Sequence, residues 1–310
     1  MAGKTVKSAE FFLTGLNVIS NEFQSLGAPD IQTFRNWYVS NNDIQQLCAK
    51  DPAVVPILYK QIETQFPSLS KNLKAFFENL YSEKFLGLEI ISSKIGWIKD
   101  HYRQFVSINK HGRCPYCGIF PIDGVYDSTR EAYDHYLPKS KYPFNSINFK
   151  NLAPMCEKCN SKNKSSGDPL HDSNGMRRKA FYSYQTNQYQ IEFEIRVQPG
   201  NWNQLKPDDL EIFSGPPTLK EEIDTWFDVF NLEDRYKALL CKEAEGKAWI
   251  EQVLDEWTCD GKTPDQFMTT LSRQTFNQPL VECRFLKKPF LEACQRAGLF
   301  RGRASPSPSP

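Results

Sequence analysis

The chain lacks a long apolar run. Nothing in it approaches the roughly 18 consecutive apolar residues of a bilayer-spanning helix. Its first residues, MAGKTVKSAE, are polar and mixed, unlike the apolar core of a signal peptide, so the expected compartment is the cytoplasm. Net charge is nearly absent: 38 Lys and Arg against 37 Asp and Glu leave +1. No global field then draws the chain to nucleic acid or to an anionic membrane, and any electrostatic footprint must be local. A dense, even cysteine framework of the secreted kind is also missing. The nine cysteines are an odd number, and Cys48, Cys241, Cys259, Cys283 and Cys294 stand apart from one another. These five read as reduced thiols. No internal repeat of solenoid period is visible.

What is present suffices for a real core: 310 residues, 40% hydrophobic and 13% aromatic, enough for one large domain or two modest ones. Residues 1–109 read as a helical region serving as support or partner-docking surface. Phe11, Phe12, Leu16 and Ile19 recur at helical spacing, as do Phe76, Phe77, Leu80, Phe85, Leu88, Ile91, Ile95 and Ile98. Lys99, His101, Arg103, Lys110, His111 and Arg113 make a locally basic approach to the next segment. Residues 110–180 hold the motifs. Ile119 to Tyr136 has strand-like content around an Asp123-Gly124 turn signal, predicting a short hairpin ended by Pro138. Lys139 to Lys150 reads as a polar connecting loop, followed by a short helix through about Lys164. Residues 181–300 read as strands over Phe181–Tyr184, Tyr189–Val197 and Leu210–Phe213, with Thr186-Asn187 as a turn, then helices from Leu219 onward. Residues 301–310 end in Ser-Pro repeats and are expected to be disordered. The fold class is α+β, mainly helical, with a small central α/β motif.

Two Cys-x-x-Cys pairs, Cys114/Cys117 and Cys156/Cys159, bracket that motif. Four thiolates at this spacing in a reduced compartment are a strong signal for structural Zn²⁺. Gly118 permits the tight turn that a zinc knuckle needs. Between the pairs lie an acid and a base side by side, Asp134-His135. A carboxylate oxygen is a hard ligand suited to Mg²⁺ or Mn²⁺, and an imidazole can take a proton from water near neutral pH. Asn160 and Asn163 stand three apart on the expected helix and so share a face, each able to offer a carbonyl oxygen to a metal. Lys162 and Lys164 can neutralise charge developing on a phosphate. Lys139, Lys141, Arg177 and Arg178 are further candidates for phosphate contact. His171 is a possible substrate contact or an ordinary loop histidine. One objection is geometric: neighbours on a regular strand face opposite sides, so Asp134 and His135 can serve one phosphate only if the strand bends or ends there.

The order of these parts resembles the HNH endonuclease family, whose fold is the ββα-metal motif. The matching residues are Cys114-Pro115-Tyr116-Cys117-Gly118, Asp134-His135-Tyr136-Leu137-Pro138, Asn151-Leu152, Cys156-Glu157-Lys158-Cys159-Asn160 and Lys164, within residues 110–170. The resemblance implies His135 as general base, Asp134 and Asn160 as metal ligands, Asn151 as the residue that orients the base, and the four cysteines as the family's zinc site. Asn160 stands where the family often has His, and Asn163 is its rival. More loosely, the Asp-His-Tyr-Leu-Pro-Lys-Ser form and the flanking helical sequence resemble the HNH partner nucleases of Septu-type and retron-associated antiphage systems. That implies an SMC/ABC-like ATPase partner and a nucleic-acid substrate. The competing reading is a zinc-knuckle module that binds nucleic acid or a partner without cleaving.

Overall fold

The computed structural model describes residues 2–81, 96–186, 189–198, 200 and 202–300. Phe85, Leu88, Ile91 and Ile95 of the expected second stripe, Asn187 of the expected turn and the 301–310 tail lie outside the described residues. Among the described residues the protein is mainly helical with two small sheets. At the N-terminal side are α1 (Ala2–Gln24), α2 (Ala28–Asn42), α3 (Ile44–Cys48), α4 (Tyr59–Gln65), α5 (Pro67–Leu80) and α6 (Ile98–Ile108). Two of these begin on a proline in their first turn, where the missing N–H costs nothing. α5 buries Leu69, Leu73, Phe76 and Leu80 along one face, with Ile62, Phe34 and Phe144 in the same cluster. That spacing is the helical stripe expected of a surface helix.

β1 (Tyr133–His135) pairs antiparallel with β2 (Leu152–Pro154), with Asp134 opposite Ala153. This corrects the expected hairpin over 119–137. The knuckle closes on itself first, through Cys114 N–H to Phe120 C=O at 2.8 Å. Pro121, bridged to Arg113, has no N–H to extend a ladder. Val125 and Tyr126, read as strand residues, are exposed. The partner of β1 therefore comes from beyond the 136–150 loop.

That loop differs from a solvated connection. Its polar residues are polar because they replace ladder hydrogen bonds inside the protein. Asn145 and Ser146 are buried. Ser146 Oγ donates to Phe77 C=O at 2.7 Å, and Asn145 Nδ2 to Asn41 C=O at 3.3 Å. Asn41, fully buried, accepts from Ile57 N–H at 2.9 Å and donates to Pro143 C=O at 3.1 Å. The loop is thus pinned against α2 and α5.

At the C-terminal side, β3 (Glu192–Val197) pairs with β4 (Leu210–Gly215). The Phe181–Tyr184 stretch is irregular rather than a strand, and its hydroxyls bond elsewhere: Tyr116 OH donates to Ser183 Oγ, and Tyr184 OH to Leu152 C=O. Then follow α7 (Lys220–Phe230), α8 (Leu232–Leu240), α9 (Ala248–Cys259), α10 (Pro264–Asn277) and α11 (Arg284–Arg296). α10 opens on a capping box between Thr263 and Gln266. One buried cluster runs from Leu47 and Cys48 through the four knuckle cysteines to Phe230, Tyr236, Leu286 and Phe290. The core is therefore continuous across residues 110 and 180. Among the described residues no helix is long and apolar enough to cross a membrane.

Candidate metal centre and adjoining site

The two Cys-x-x-Cys pairs converge. Cys114, Cys117, Cys156 and Cys159 are all buried, and their sulfurs lie within 4.8 Å of one another. Cys114 Sγ is 3.8 Å from Cys159 Sγ, and Cys117 Sγ is 3.9 Å from Cys156 Sγ. Four thiolates held tetrahedrally at about 2.3 Å from zinc would sit about 3.8 Å apart. The spacing is far too long for a disulfide, and the thiols are free. The group can hold a metal ion such as zinc, with no coordination position left open.

Gly118 turns the first knuckle with φ +67°, and its N–H donates to Cys114 C=O at 2.8 Å. A Cβ there would come within 2.8 Å of Phe285, so glycine is required by both conformation and space. The C-terminal helices clamp the knuckles. Trp226 Nε1 donates to Tyr116 C=O at 2.7 Å, and Tyr236 OH to Cys117 C=O at 3.0 Å. Arg235 aims both terminal nitrogens at Cys159 Sγ, at 3.4 and 3.5 Å. An arginine N–H on a ligating sulfur offsets the negative charge that four thiolates bring to one metal. Sequence reasoning missed Arg235, because it lies on α8, far along the chain from either pair.

Beside this centre stands the acid–base pair. Asp134 and His135 are consecutive paired residues of β1, opposite Ala153 and Leu152, both are buried, and the strand ends at His135. His135 Nε2 lies 2.8 Å from Ser146 C=O. A carbonyl only accepts, so Nε2 carries the proton and Nδ1 keeps its lone pair. Burial pushes the imidazole pKa down to about 4, so the ring is neutral at pH 7. Tyr81 packs edge-on against it, ring centroids 4.2 Å apart.

Asp134 is buried, and burial raises its pKa to about 6. The buried Lys164 ammonium opposes that rise, with Nζ 2.7 Å from Asp134 Oδ2 and 2.9 Å from the His135 carbonyl oxygen. That ion pair is the one polar contact of Oδ2 among the described residues. Burial in turn lowers the Lys164 pKa. Asn151 is fully buried. Its Oδ1 accepts from Leu137 N–H at 2.7 Å, and its Nδ2 donates to Leu137 C=O at 3.1 Å and Asn145 C=O at 3.4 Å. It holds both ends of the loop that carries Ser146.

The expected short helix is a π-helical turn, Lys158–Lys164. At roughly 4.4 residues per turn, residues four apart are nearly in line and residues three apart diverge by about a third of a turn. Asn160 therefore shares a face with Lys164. The expectation that Asn160 and Asn163 share one face is corrected. Asn163 instead turns its amide back to Lys158 C=O.

The proposed phosphate contacts divide. Lys139 is half-buried beside Tyr81, its Nζ 5.3 Å from the ring centroid, while Lys141 and Lys162 are exposed. Arg177 donates to Leu47 C=O and Leu170 C=O at 2.9 and 3.3 Å. Arg178 pairs with Asp228 and donates to Asp168 C=O at 2.7 Å. Both guanidiniums are committed to the protein's own acceptors, which removes them as a free basic patch. In the basic approach, His101 Nδ1 meets Tyr133 OH at 2.7 Å and Arg113 donates to Ile119 C=O at 2.6 Å. His171 joins Tyr142 and Asp168 in a side-chain cluster, 2.9 Å from the tyrosine hydroxyl and 3.3 Å from the carboxylate. Compared with protein-family models, curated proteins and solved structures, the chain matches none.

Proposed function

We propose that the protein is a metal-dependent nuclease of the HNH type, with a structural zinc in the four-cysteine site. The observation that carries this reading is the state of His135. Its Nε2 proton is held by Ser146 C=O and burial keeps the ring neutral, so Nδ1 keeps its lone pair for a proton, next in sequence to a buried carboxylate. The donor types suit a hard cation: Asp134 offers a buried carboxylate, which a metal would share with the Lys164 ammonium, and Asn160 lies on the Lys164 face of the π turn. Asp134 and Asn160 would hold Mg²⁺ or Mn²⁺, which when bound supplies charge stabilisation at the leaving oxygen. His135 Nδ1 removes a proton from water as the water oxygen bonds to phosphorus. The bond from phosphorus to the leaving sugar oxygen breaks opposite, and that oxygen takes its proton from solvent. Asn151 is a positioning residue, acting through the loop that presents Ser146. Lys164, buried with its Nζ on Asp134 and on the His135 carbonyl, acts in this reading as a positioning residue for the acid–base pair.

The competing reading is a zinc-knuckle binding module without cleavage. The Lys164–Asp134 pair favours it, since the ammonium neutralises the carboxylate without a metal. The resemblance supplies the setting, an antiphage complex with an SMC/ABC-like ATPase docked on the helical regions. Wild type and His135→Ala, alone and with any co-purified partner, are incubated with plasmid DNA and total RNA in Mg²⁺, Mn²⁺ or EDTA. The expected result is metal-dependent cleavage that falls on the order of 10²–10⁴-fold in His135→Ala. Equal cleavage by both proteins removes His135 as the base. Binding without cleavage, with or without partner, supports the competing reading.

A further inference from the structure

We infer that the cleft between α4, α5 and the 138–141 turn is a track for a nucleic-acid phosphodiester backbone, leading a strand to Asp134 and His135. The inference deepens the nuclease reading and rests on it. The cleft has a volume of about 620 Å³ and gathers Lys60, Lys71, Lys74 and Lys141 from three separate parts of the chain, with Glu63 as the one carboxylate in its described lining. All four lysines are exposed.

These lysines differ from the paired lysines of the C-terminal part, although Lys99, Lys110, Lys150 and Lys158 are likewise in no ion pair among the described residues. On the C-terminal helices, Lys220, Lys237, Lys247 and Lys288 each pair with a carboxylate four residues away. Among the described residues, none of the four cleft lysines is in an ion pair. Gathering like charges around a concavity is unfavourable by itself, and a cleft of low-dielectric walls focuses their field outward. In a chain of net charge +1, this is a local footprint for a polyanion, recognised through phosphates rather than bases.

The cleft adjoins the loop that follows β1. Tyr59 N–H, at the start of α4, donates to Lys141 C=O at 3.0 Å. Two residues back, a distance of at most about 7 Å between Cα atoms, Lys139 sits over the Tyr81 ring that packs on His135. Cations thus run from the cleft through Lys141 and Lys139 to the base.

The test measures binding, not cleavage. A fluorescein-labelled single strand of about 20 nucleotides, and its duplex, are titrated by anisotropy in EDTA against full-length His135→Ala protein. The same is done with Lys60→Gln, Lys71→Gln and Lys74→Gln added together, and with the corresponding three arginine substitutions. The glutamine triple is expected to bind at least 10-fold more weakly at about 100 mM salt. Its slope of log affinity against log salt should be about 2 smaller, at roughly 0.7 per lost phosphate contact. The arginine triple should retain affinity. Unchanged affinity and slope in the glutamine triple, or no oligonucleotide binding by the parent protein, overturns the inference. Displacement of the strand by ATP at equal phosphate concentration reassigns the cleft to free nucleotides and also overturns it. Lysine-dependent binding by a protein whose wild type cleaves nothing keeps the track and removes the nuclease. Cleavage with lysine-independent binding does the reverse.

Discussion

Asp168 illustrates how single side chains are held in this protein. Burial alone would raise its pKa, but hydrogen bonds from His171, Tyr142 and the Leu170 N–H outweigh it, and the carboxyl sits below its ordinary range. Tyr142 OH lies 2.8 Å from both carboxylate oxygens. The sign of the linkage follows. A depressed folded-state pKa gives stability that is complete above the unfolded value, near 4, and is lost as pH falls through the folded one. Asp168→Asn should therefore cost about 1–3 kcal/mol at pH 7. The gap to wild type should hold down to about pH 5 and narrow only below about pH 4. Denaturant unfolding of both proteins from about pH 3 to pH 7 checks this. A gap that closes between pH 7 and 6 would assign the linkage to another group. Asn151 belongs to the same scale: both of its amide atoms are bonded to backbone, so its role is to fix a loop rather than to touch a substrate.

At the scale of elements, the two knuckles, the π turn and α8 form one unit. The π turn starts inside the second knuckle, with Asn160 N–H on Cys156 C=O at 3.0 Å, and ends on Lys164, which meets Asp134. The cysteine centre thereby sets the position of the lysine at the acid–base pair. α8 adds Arg235 against Cys159 and Tyr236 against the Cys117 carbonyl. Removing a partner of a metal-ligating atom commonly costs 10–100-fold in metal affinity. Arg235→Ala should weaken zinc retention by that order, measured by competition with a chromophoric chelator, while Arg235→Lys should restore only part of it. Zinc affinity equal to wild type in Arg235→Ala would make that contact incidental.

At the scale of the whole molecule, the four cysteines share their buried cluster with Leu47, Phe230, Tyr236 and Phe290. A metal at that point would join the N-terminal helices, the central motif and the C-terminal helices through one core. Structural zinc contributes roughly 10–16 kcal/mol of apparent binding free energy coupled to folding. Chelation should therefore lower the melting temperature of the whole protein and raise amide exchange in α11 as well as at the knuckles. Exchange confined to residues 110–170 would mean that the central motif unfolds by itself and the core is energetically divided.

Much was legible from the residues alone, because it depended on short-range pattern. The paired cysteines announced a group that can hold a metal through spacing, Gly118 a tight turn, Phe76, Phe77 and Leu80 part of a helix, and Tyr189–Val197 and Leu210–Phe213 two strands, though not that these two pair with each other. Tertiary structure decided what depends on partners distant in sequence. β1 pairs with β2 rather than with 119–125, because the first knuckle closes on Phe120. The 136–150 loop is interior, because Asn41 and Phe77 offer it backbone partners. The π turn separates Asn160 from Asn163, a choice that helical spacing left open. Arg177 and Arg178 fall to internal acceptors, while four lysines from three places in the chain meet at one cleft. Local propensity fixes which residues can turn or pair. Only the packed chain determines which donor finds which acceptor, since those energies arise between residues that sequence order does not bring together.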